Sequence, residues 1–133
     1  MGQALIMEES FLLDTDVLMD FLRGYRKAVT FVNANSSRII LSSIVVAELY
    51  AGVKGDKELT VLGNFISLFR IIPVTSEIAK TGGFYKRDYG KSHGVGLADA
   101  IIAATCAAED AELKTLNIKH YPMIKGLTPA YKK

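Results

Sequence analysis

Short apolar runs alternate with segments of helical spacing along most of the chain. The apolar runs predict four buried strands, at residues 11–13, 38–41, 71–74 and 112–116. Helical spacing, alanine content and capping residues predict helices at 17–23, 25–34, around Glu48, 56–69, 76–85 and 97–108. The tail is expected to hold at most one more short strand, near Leu127. Because strands and helices alternate, the pattern favours a parallel sheet covered by helices on both faces.

Glycines mark the expected ends of helices. Gly52 and Gly55 follow the helix that carries Glu48. Gly82 and Gly83 would interrupt the fifth helix, because glycine is unfavourable inside a helix. The stretch that follows them, up to residue 96, is therefore predicted to be a loop.

Three acidic residues stand alone in apolar surroundings. Asp14 ends the run SFLLD, Glu48 lies in SSIVVAELYAG, and Asp99 lies in GLADAIIAATCAA. A carboxylate that loses its hydration needs a cation or hydrogen bonds in compensation. Asp14 follows a strand, and ligands of parallel α/β sheets gather at the carboxyl ends of strands. The pattern therefore predicts one cation shared by the three acids.

Two of these acids also have a purely structural interpretation when each is taken alone. Asp99 falls in the first turn of its helix, where the helix dipole favours a negative charge without any function. Glu48 could face solvent, although Ile44, Val45 and Ala51 surround it on its own helix and disfavour that orientation. The hypothesis of a shared cation depends on the three acids together.

The kind of cation follows from the available ligands. Hard divalent ions such as magnesium prefer oxygen ligands and use only a few carboxylates. A structural zinc site is disfavoured, because the chain has one cysteine, Cys106, and no pattern of paired histidines. The two histidines are weak candidates as ligands, and His93 is expected to lie in an exposed loop.

Length and composition set broad limits. With 133 residues, half of them hydrophobic, the chain fits one domain, residues 1–133, with a core of its own. Residues 1–10 have neither a basic start nor a long apolar run, so no signal peptide is predicted, and no run is long enough to span a membrane. We expect a soluble intracellular protein. The net charge is only +2, but residues 113–133 contain lysines and no carboxylate, which is either solvated surface or a region that attracts phosphate.

Four motifs carry a family resemblance. They are LLDTDVLMDFLRG, SSIVVAELYAGV, GLADAIIAATCA and TLNIKHYPMIKGL, which in this order resemble the PIN-domain ribonucleases, specifically the VapC toxins of toxin–antitoxin pairs. The resemblance implies a PIN-like α/β/α sandwich with a central, mostly parallel sheet of four to five strands flanked by helices. It also implies that Asp14, Glu48 and Asp99 bind one or two Mg²⁺ or Mn²⁺ ions.

The same resemblance implies an activity and partners. The activity is a metal-dependent endoribonuclease that cuts single-stranded segments of structured RNA and leaves a 5′-phosphate and a 3′-hydroxyl. The partners are the RNA substrate, a cognate antitoxin and a second copy of the chain in a homodimer, and the location is the cytoplasm.

Three positions depart from the family pattern. Asn117, in the TxN motif, stands where many PIN domains have a fourth acid, and His120 stands where many relatives have aspartate. Asn117 would still orient a catalytic water through its amide. Asp16 stands where relatives often have asparagine or serine, and it is a candidate for the missing charge. The fourth part of the site is therefore open between Asn117, His120 and Asp16.

Basic residues near the motifs are candidates for RNA contacts. Cations would contact phosphates, and a tyrosine of YKRDYGKSH would stack on an unpaired base. The candidates are Arg23, Arg26, Lys27, Lys86, Arg87, Lys91 and His120. The alternative is that these are exposed surface residues packed locally. Leu49, Tyr50 and the apolar helices up to Phe69 either form a groove for an antitoxin helix or belong to the core.

Two rival functions are compatible with parts of the sequence. LLDTDVL also resembles the DxD opening of haloacid-dehalogenase-type phosphatases, in which Asp14 would be the nucleophile and Asp16 the acid and base. The chain lacks their later pair of aspartates and is short for that fold. The other rival is a PIN-fold module that binds RNA or an antitoxin with weakened catalysis, because the fourth acid is replaced.

Overall fold

The computed structural model describes residues 9–133. The prediction that the chain has no signal peptide rests mainly on residues 1–8, which lie outside the described residues. Within residues 9–133, no helix is long and apolar enough to cross a membrane.

Within residues 9–133, a parallel four-stranded sheet forms the centre of the structure. The strands are β1 (Phe11–Leu13), β2 (Ile39–Ser42), β3 (Arg70–Ile72) and β4 (Glu112–Lys114). Their order across the sheet is β3-β2-β1-β4, and every pairing is parallel. β1 and β2 are buried along their whole length because they are the inner strands. The predicted parallel sheet is confirmed, and its central strand β1 leads directly to Asp14.

In the described part of the chain, six α-helices connect and cover the strands. They are α1 (Thr15–Leu22), α2 (Arg26–Asn35), α3 (Ser43–Ala51), α4 (Gly55–Ile66), α5 (Ser76–His93) and α6 (Leu97–Glu109). Short 3-10 turns lie at Ser36–Arg38 and Ile118–His120. α1 packs on α2 and α3, and α5 packs on α6. Helices around a central parallel sheet are the arrangement expected of the predicted α/β/α sandwich.

The fifth helix is longer than predicted. α5 runs without a break to His93, so the predicted interruption at Gly82 and Gly83 is wrong, and the predicted loop that follows the helix is confined to residues 94–96. Lys86, Arg87 and Lys91 therefore lie on a helix. The reason is packing. A Cβ atom on Gly82 would come within 2.9 Å of Ile101 Cγ1 on α6, so glycine at this position permits the two helices to approach closely. The helix ends at Gly94, which has a positive φ of 65°.

The ends of two strands also differ from the predictions. β3 ends at Ile72 rather than at Val74, and β4 ends at Lys114 rather than at Leu116. The short strand expected near Leu127 is an isolated parallel bridge between Thr115 and Pro129. That bridge holds the tail against the carboxyl end of β4, beside the acidic residues.

Candidate active site

Asp14 is the buried centre of an acidic cluster at the carboxyl end of β1. Its side chain caps α1, where Oδ1 accepts a hydrogen bond from the Thr15 backbone N–H (2.8 Å). Its other oxygen, Oδ2, accepts from the hydroxyls of Thr115 (2.8 Å) and Tyr121 (2.7 Å). Asp14 is only 6% exposed, so these three donors replace its lost hydration.

Asp16 joins the start of α1 to the segment that follows β4. Its Oδ1 accepts from the Val17 backbone N–H (2.7 Å). Its Oδ2 accepts from the Leu116 backbone N–H (2.9 Å) and from the Asn117 side-chain amide (3.1 Å), with the Thr115 hydroxyl at 3.3 Å. The structure therefore brings two of the three departing positions, Asp16 and Asn117, into direct contact.

Asp99 reaches the cluster from the first turn of α6. Its Oδ1 lies 3.2 Å from the hydroxyl of Tyr121, the same hydroxyl that donates to Asp14. Its Oδ2 lies 3.2 Å from His120 Nδ1. Asp14 and Asp99, which are 85 positions apart in the printed sequence, thus meet at one phenol group.

Glu48 is less closely joined to the cluster. It lies on α3 and accepts a hydrogen bond from the Thr15 hydroxyl (2.7 Å), the residue whose backbone N–H binds Asp14. The Glu48 residue is exposed, although its sequence neighbours are apolar. The solvent-facing orientation of Glu48, which its apolar neighbours disfavoured, is the one that the structure has, because the residues that α3 buries are Val45 and Leu49.

Burial and the repulsion between these acids both change their pKa values. Burial, and then the nearby charge of Asp14, raise the pKa of Asp16 and of Asp99 above the ordinary value. Hydrogen bonds oppose both shifts without cancelling them. Burial and the two carboxylates also raise the pKa of Tyr121, so its hydroxyl keeps its proton. Negative charge on Asp16 and Asp99 is therefore disfavoured in the folded chain.

The acidic side chains, as the structure places them, do not form a complete metal site. Within residues 9–133, no group of three or more His, Cys, Asp or Glu side chains could hold a metal ion in its present arrangement. The donors themselves, carboxylates with hydroxyl and amide oxygens nearby, are those that hard divalent ions prefer. Asp14 and Asp99 already converge, whereas Glu48 is held by Thr15.

The predicted RNA contacts are dispersed. Among the seven candidates in the described part of the chain, His120 is the one with a contact to the acidic cluster. Lys86 donates to the Val95 carbonyl (2.7 Å), in the turn that leads into α6, and Arg87 pairs with Asp88. Lys27 donates to the carbonyl of Lys132 in the tail. Arg23 and Arg26 are exposed at the end of α1 and the start of α2.

Sequence reasoning missed the hydroxyl groups that organise the site. Thr15, Thr115 and Tyr121 hold the carboxylates, and none of them was predicted to do so. Thr115 and Tyr121 belong to the same motif as Asn117, so the motif itself was the available signal. Tyr121 is apolar over most of its surface and is therefore easily assigned to the core.

Comparison with known proteins identifies the family. The PIN domain family matches residues 11–121, which include every residue of the acidic cluster. The chain belongs to the PIN domain family. It is 40% identical over 124 residues to Ribonuclease VapC19 of Mycobacterium tuberculosis, covering 90% of this chain and 98% of that protein. Ribonuclease VapC10 of the same organism is 37% identical over 123 residues, covering 90% and 92%.

A solved structure extends the similarity to three dimensions. A toxin–antitoxin complex from Klebsiella pneumoniae contains a chain that is 29% identical and superposes with a TM-score of 0.81. The match covers 93% of this chain and 100% of that one. The predicted PIN-like fold and the resemblance to VapC proteins are confirmed, and the phosphatase alternative is set aside with them.

Proposed function

We propose that this PIN-domain protein is a metal-dependent endoribonuclease that acts as a VapC-like toxin and is neutralised by a cognate antitoxin. The observation that carries the proposal is the convergence of Asp14 and Asp99 on one hydroxyl, with Asp16 beside them. No Lys or Arg within residues 9–133 forms an ion pair with any of these three acids. A bound cation would supply the missing positive charge. The VapC ribonucleases to which the chain is similar support this choice of reaction.

The donor set fits Mg²⁺ or Mn²⁺, one or two ions per site. Asp14, Asp99 and Glu48 would hold the cation, and Glu48 would leave the Thr15 hydroxyl to join the other two acids. When bound, such an ion lowers the pKa of a water molecule and stabilises negative charge on the phosphate. Burial and the charge of Asp14 raise the pKa values of Asp16 and Asp99, and a bound cation would oppose these shifts and favour loss of protons from the cluster.

The residues around the acids would bind and orient the substrate. Asn117 commits its amide nitrogen to Asp16, which leaves its carbonyl oxygen to accept a hydrogen bond from the attacking water. His120 is exposed beside Asp99 and would contact a phosphate oxygen. Asp16 holds Leu116 and Asn117 in place, so its charge supports the site while its hydrogen bonds are already in use. We assign it a supporting role rather than a direct bond to the cation.

RNA and the antitoxin would use separate surfaces. Arg87 and Lys91 are exposed on α5, which packs against the Asp99 helix, and would contact the RNA backbone. A groove of about 350 Å³ lies between α1, α3 and α4, and Met19, Leu49 and Leu62 are among its lining residues. This groove would take an apolar helix of the antitoxin. We also expect a cytoplasmic homodimer, in keeping with the family resemblance.

Two observations favour a second candidate function. No three His, Cys, Asp or Glu side chains within residues 9–133 are grouped so that they could hold a metal ion, and Asn117 stands where, by the family resemblance, many PIN domains have a fourth acid. A PIN-fold module that binds RNA or an antitoxin but cleaves RNA weakly would have these properties.

The test is cleavage of a structured RNA with single-stranded loops by the purified full chain. We expect cleavage in Mg²⁺ or Mn²⁺, none in a chelator, and products that carry a 5′-phosphate. The ends are identified by a 5′-phosphate-dependent exonuclease, which degrades only those products. RNA binding without cleavage in either ion would contradict the proposal and support the weakened module.

A further inference from the structure

Tyr121 is placed unusually for a buried tyrosine. It is 1% exposed, yet its hydroxyl faces two carboxylates, at 2.7 Å from Asp14 Oδ2 and 3.2 Å from Asp99 Oδ1. A phenol has one proton to donate. The shorter distance assigns that proton to Asp14, and the phenol oxygen then lies between the two acids as a spacer. No other described side chain contacts both carboxylates through a hydrogen bond.

The hydrogen bonds of Asp14 fix the orientation of its carboxylate. Oδ2 accepts from both Tyr121 and Thr115, and these two donors fill its two lone-pair sites. Oδ1 accepts from the Thr15 backbone N–H alone, which leaves one site free. A cation that meets Asp14 would therefore approach Oδ1, and the carboxylate does not have to rotate to offer it.

We propose that Tyr121 is a positioning residue that presets the Asp14 and Asp99 carboxylates for a divalent cation and so increases the affinity of the site for it. This inference rests on the proposed function. Tyr121 acts through the two acids and does not itself bind the cation. Without its hydroxyl, Oδ2 of Asp14 loses one of its two donors, and the oxygen that lies 2.7 Å from Asp14 Oδ2 and 3.2 Å from Asp99 Oδ1 is gone from between the two acids. The bound arrangement would then have to be formed anew when the cation arrives.

The chain contains a matched control for this inference. Tyr131 donates to Asp20 Oδ2 at 2.7 Å, the same distance as Tyr121 to Asp14 Oδ2, but its acid is paired with Lys133 and belongs to no acidic cluster. Tyr121→Phe and Tyr131→Phe therefore remove the same hydrogen bond to a buried carboxylate. They differ in whether that carboxylate is proposed to bind a cation.

The experiment is isothermal titration of Mn²⁺ into the metal-free full chain, for the wild type and both variants. Groups that orient metal ligands typically change affinity by about 10–100-fold. We expect Tyr121→Phe to raise the Kd for Mn²⁺ by about 10-fold or more. Tyr131→Phe is expected to lower the thermal stability but to leave the Kd within about twofold of the wild type.

The outcomes separate this inference from the proposed function. Tyr121→Phe that binds Mn²⁺ as tightly as the wild type would overturn the inference, while Mn²⁺-dependent RNA cleavage by the wild type would still support the proposed function. A wild type that binds no Mn²⁺ would overturn both.

A second measurement applies if Tyr121→Phe does not fold. The wild type and Tyr131→Phe, labelled with ¹³C at the Cζ atoms of tyrosine, would be titrated with Mg²⁺ and followed by NMR. A shift of the Tyr121 resonance in both proteins supports the inference. An unchanged Tyr121 resonance at saturating Mg²⁺ overturns it.

Discussion

Two buried aspartates belong to the first helix: Asp14 caps the start of α1, and Asp20 lies within it. The charges around the two carboxylates are opposite in sign. Asp20 is 7% exposed and Asp14 is 6% exposed, and each accepts a tyrosine hydroxyl at 2.7 Å. Asp20 also pairs with Lys133 at 3.0 Å. Burial acts to raise the pKa of Asp20, but the hydrogen bonds from Tyr131 and Lys133 outweigh it, and the pKa is lowered.

Asp14 has acids where Asp20 has a lysine. Its charge contributes to the raised pKa values of Asp16 and Asp99, and no Lys or Arg of residues 9–133 pairs with the three of them. Burial alone therefore does not indicate a functional carboxylate. Asp20 has its countercharge in Lys133, whereas the proposed function assigns the countercharge of Asp14 to a cation.

The largest expected effect distinguishes the two aspartates by activity. Asp14→Asn removes a charge that the proposed cation needs while it nearly preserves shape, so RNA cleavage should fall by about 1,000-fold or more. Asp20→Asn should leave cleavage by the folded protein within about threefold of the wild type. Initial rates measured on the same RNA, with folding checked by circular dichroism, test both. Equal losses in the two variants would remove the functional distinction.

The second effect is on stability at Asp20. Asp20→Asn leaves Lys133 without its charged partner and weakens the bond from Tyr131, so the free energy of unfolding should fall by about 1–3 kcal/mol. Because the pKa of Asp20 is lowered in the folded chain, its contribution is present at neutral pH and is lost as the pH falls through that lowered value. Urea unfolding at pH 7 checks the magnitude. A stability equal to the wild type would show that the Lys133 pair contributes nothing.

At Asp99, in contrast, replacement by asparagine should increase the free energy of unfolding. The pKa of Asp99 is raised, so the folded protein favours its protonated form, and stability falls as the pH rises from the unfolded value, near 4, through the raised one. Metal-free Asp99→Asn should therefore be more stable than the wild type at pH 7, by about 1 kcal/mol.

Urea unfolding in chelator, repeated between pH 4 and pH 8, tests this prediction. The difference in the free energy of unfolding between Asp99→Asn and the wild type should shrink toward acid pH. Saturating Mn²⁺ should stabilise the wild type and have little effect on the variant. A variant that is less stable than the wild type at every pH would show that Asp99 is already satisfied by Tyr121 and His120.

The smallest effect concerns RNA affinity away from both aspartates. Replacement of Arg87 and Lys91 by alanine should reduce the slope of log affinity against log salt by about 1–2, because each phosphate contact contributes about one. Binding of a noncleaved RNA by the Asp14→Asn background, measured at several salt concentrations, tests this. The Mn²⁺ affinity of the variant should stay unchanged. An unaltered slope would exclude this part of α5 from the RNA surface.

Much of the fold could be predicted from local patterns, because each strand is an apolar run and most helices have clear starts. In the structure, Thr75 caps the start of α5 and Ser42 caps the start of α3. The prediction failed at Gly82, where local propensity opposed a helix and the close approach to Ile101 decided in favour of one. A contact between two helices cannot be read from the propensity of a single residue.

The candidate site was predicted in part for a similar reason. Asp14 and Asp99 were recognised because acids in apolar runs are unusual, and the structure brings them together at Tyr121. Glu48 has the same sequence signature but is exposed, since apolar neighbours along a helix do not reveal which side meets solvent. Thr115 and Tyr121 carry no charge, so the sequence contained no pattern of charged residues that would have indicated their contacts with Asp14.

Thr115 connects the tail to the acidic cluster through a single residue. Its carbonyl accepts the Ala130 backbone N–H at 3.0 Å, while its hydroxyl donates to Asp14. Truncation before residue 130 would therefore remove a hydrogen bond from the residue that presents this hydroxyl, although no removed atom touches Asp14.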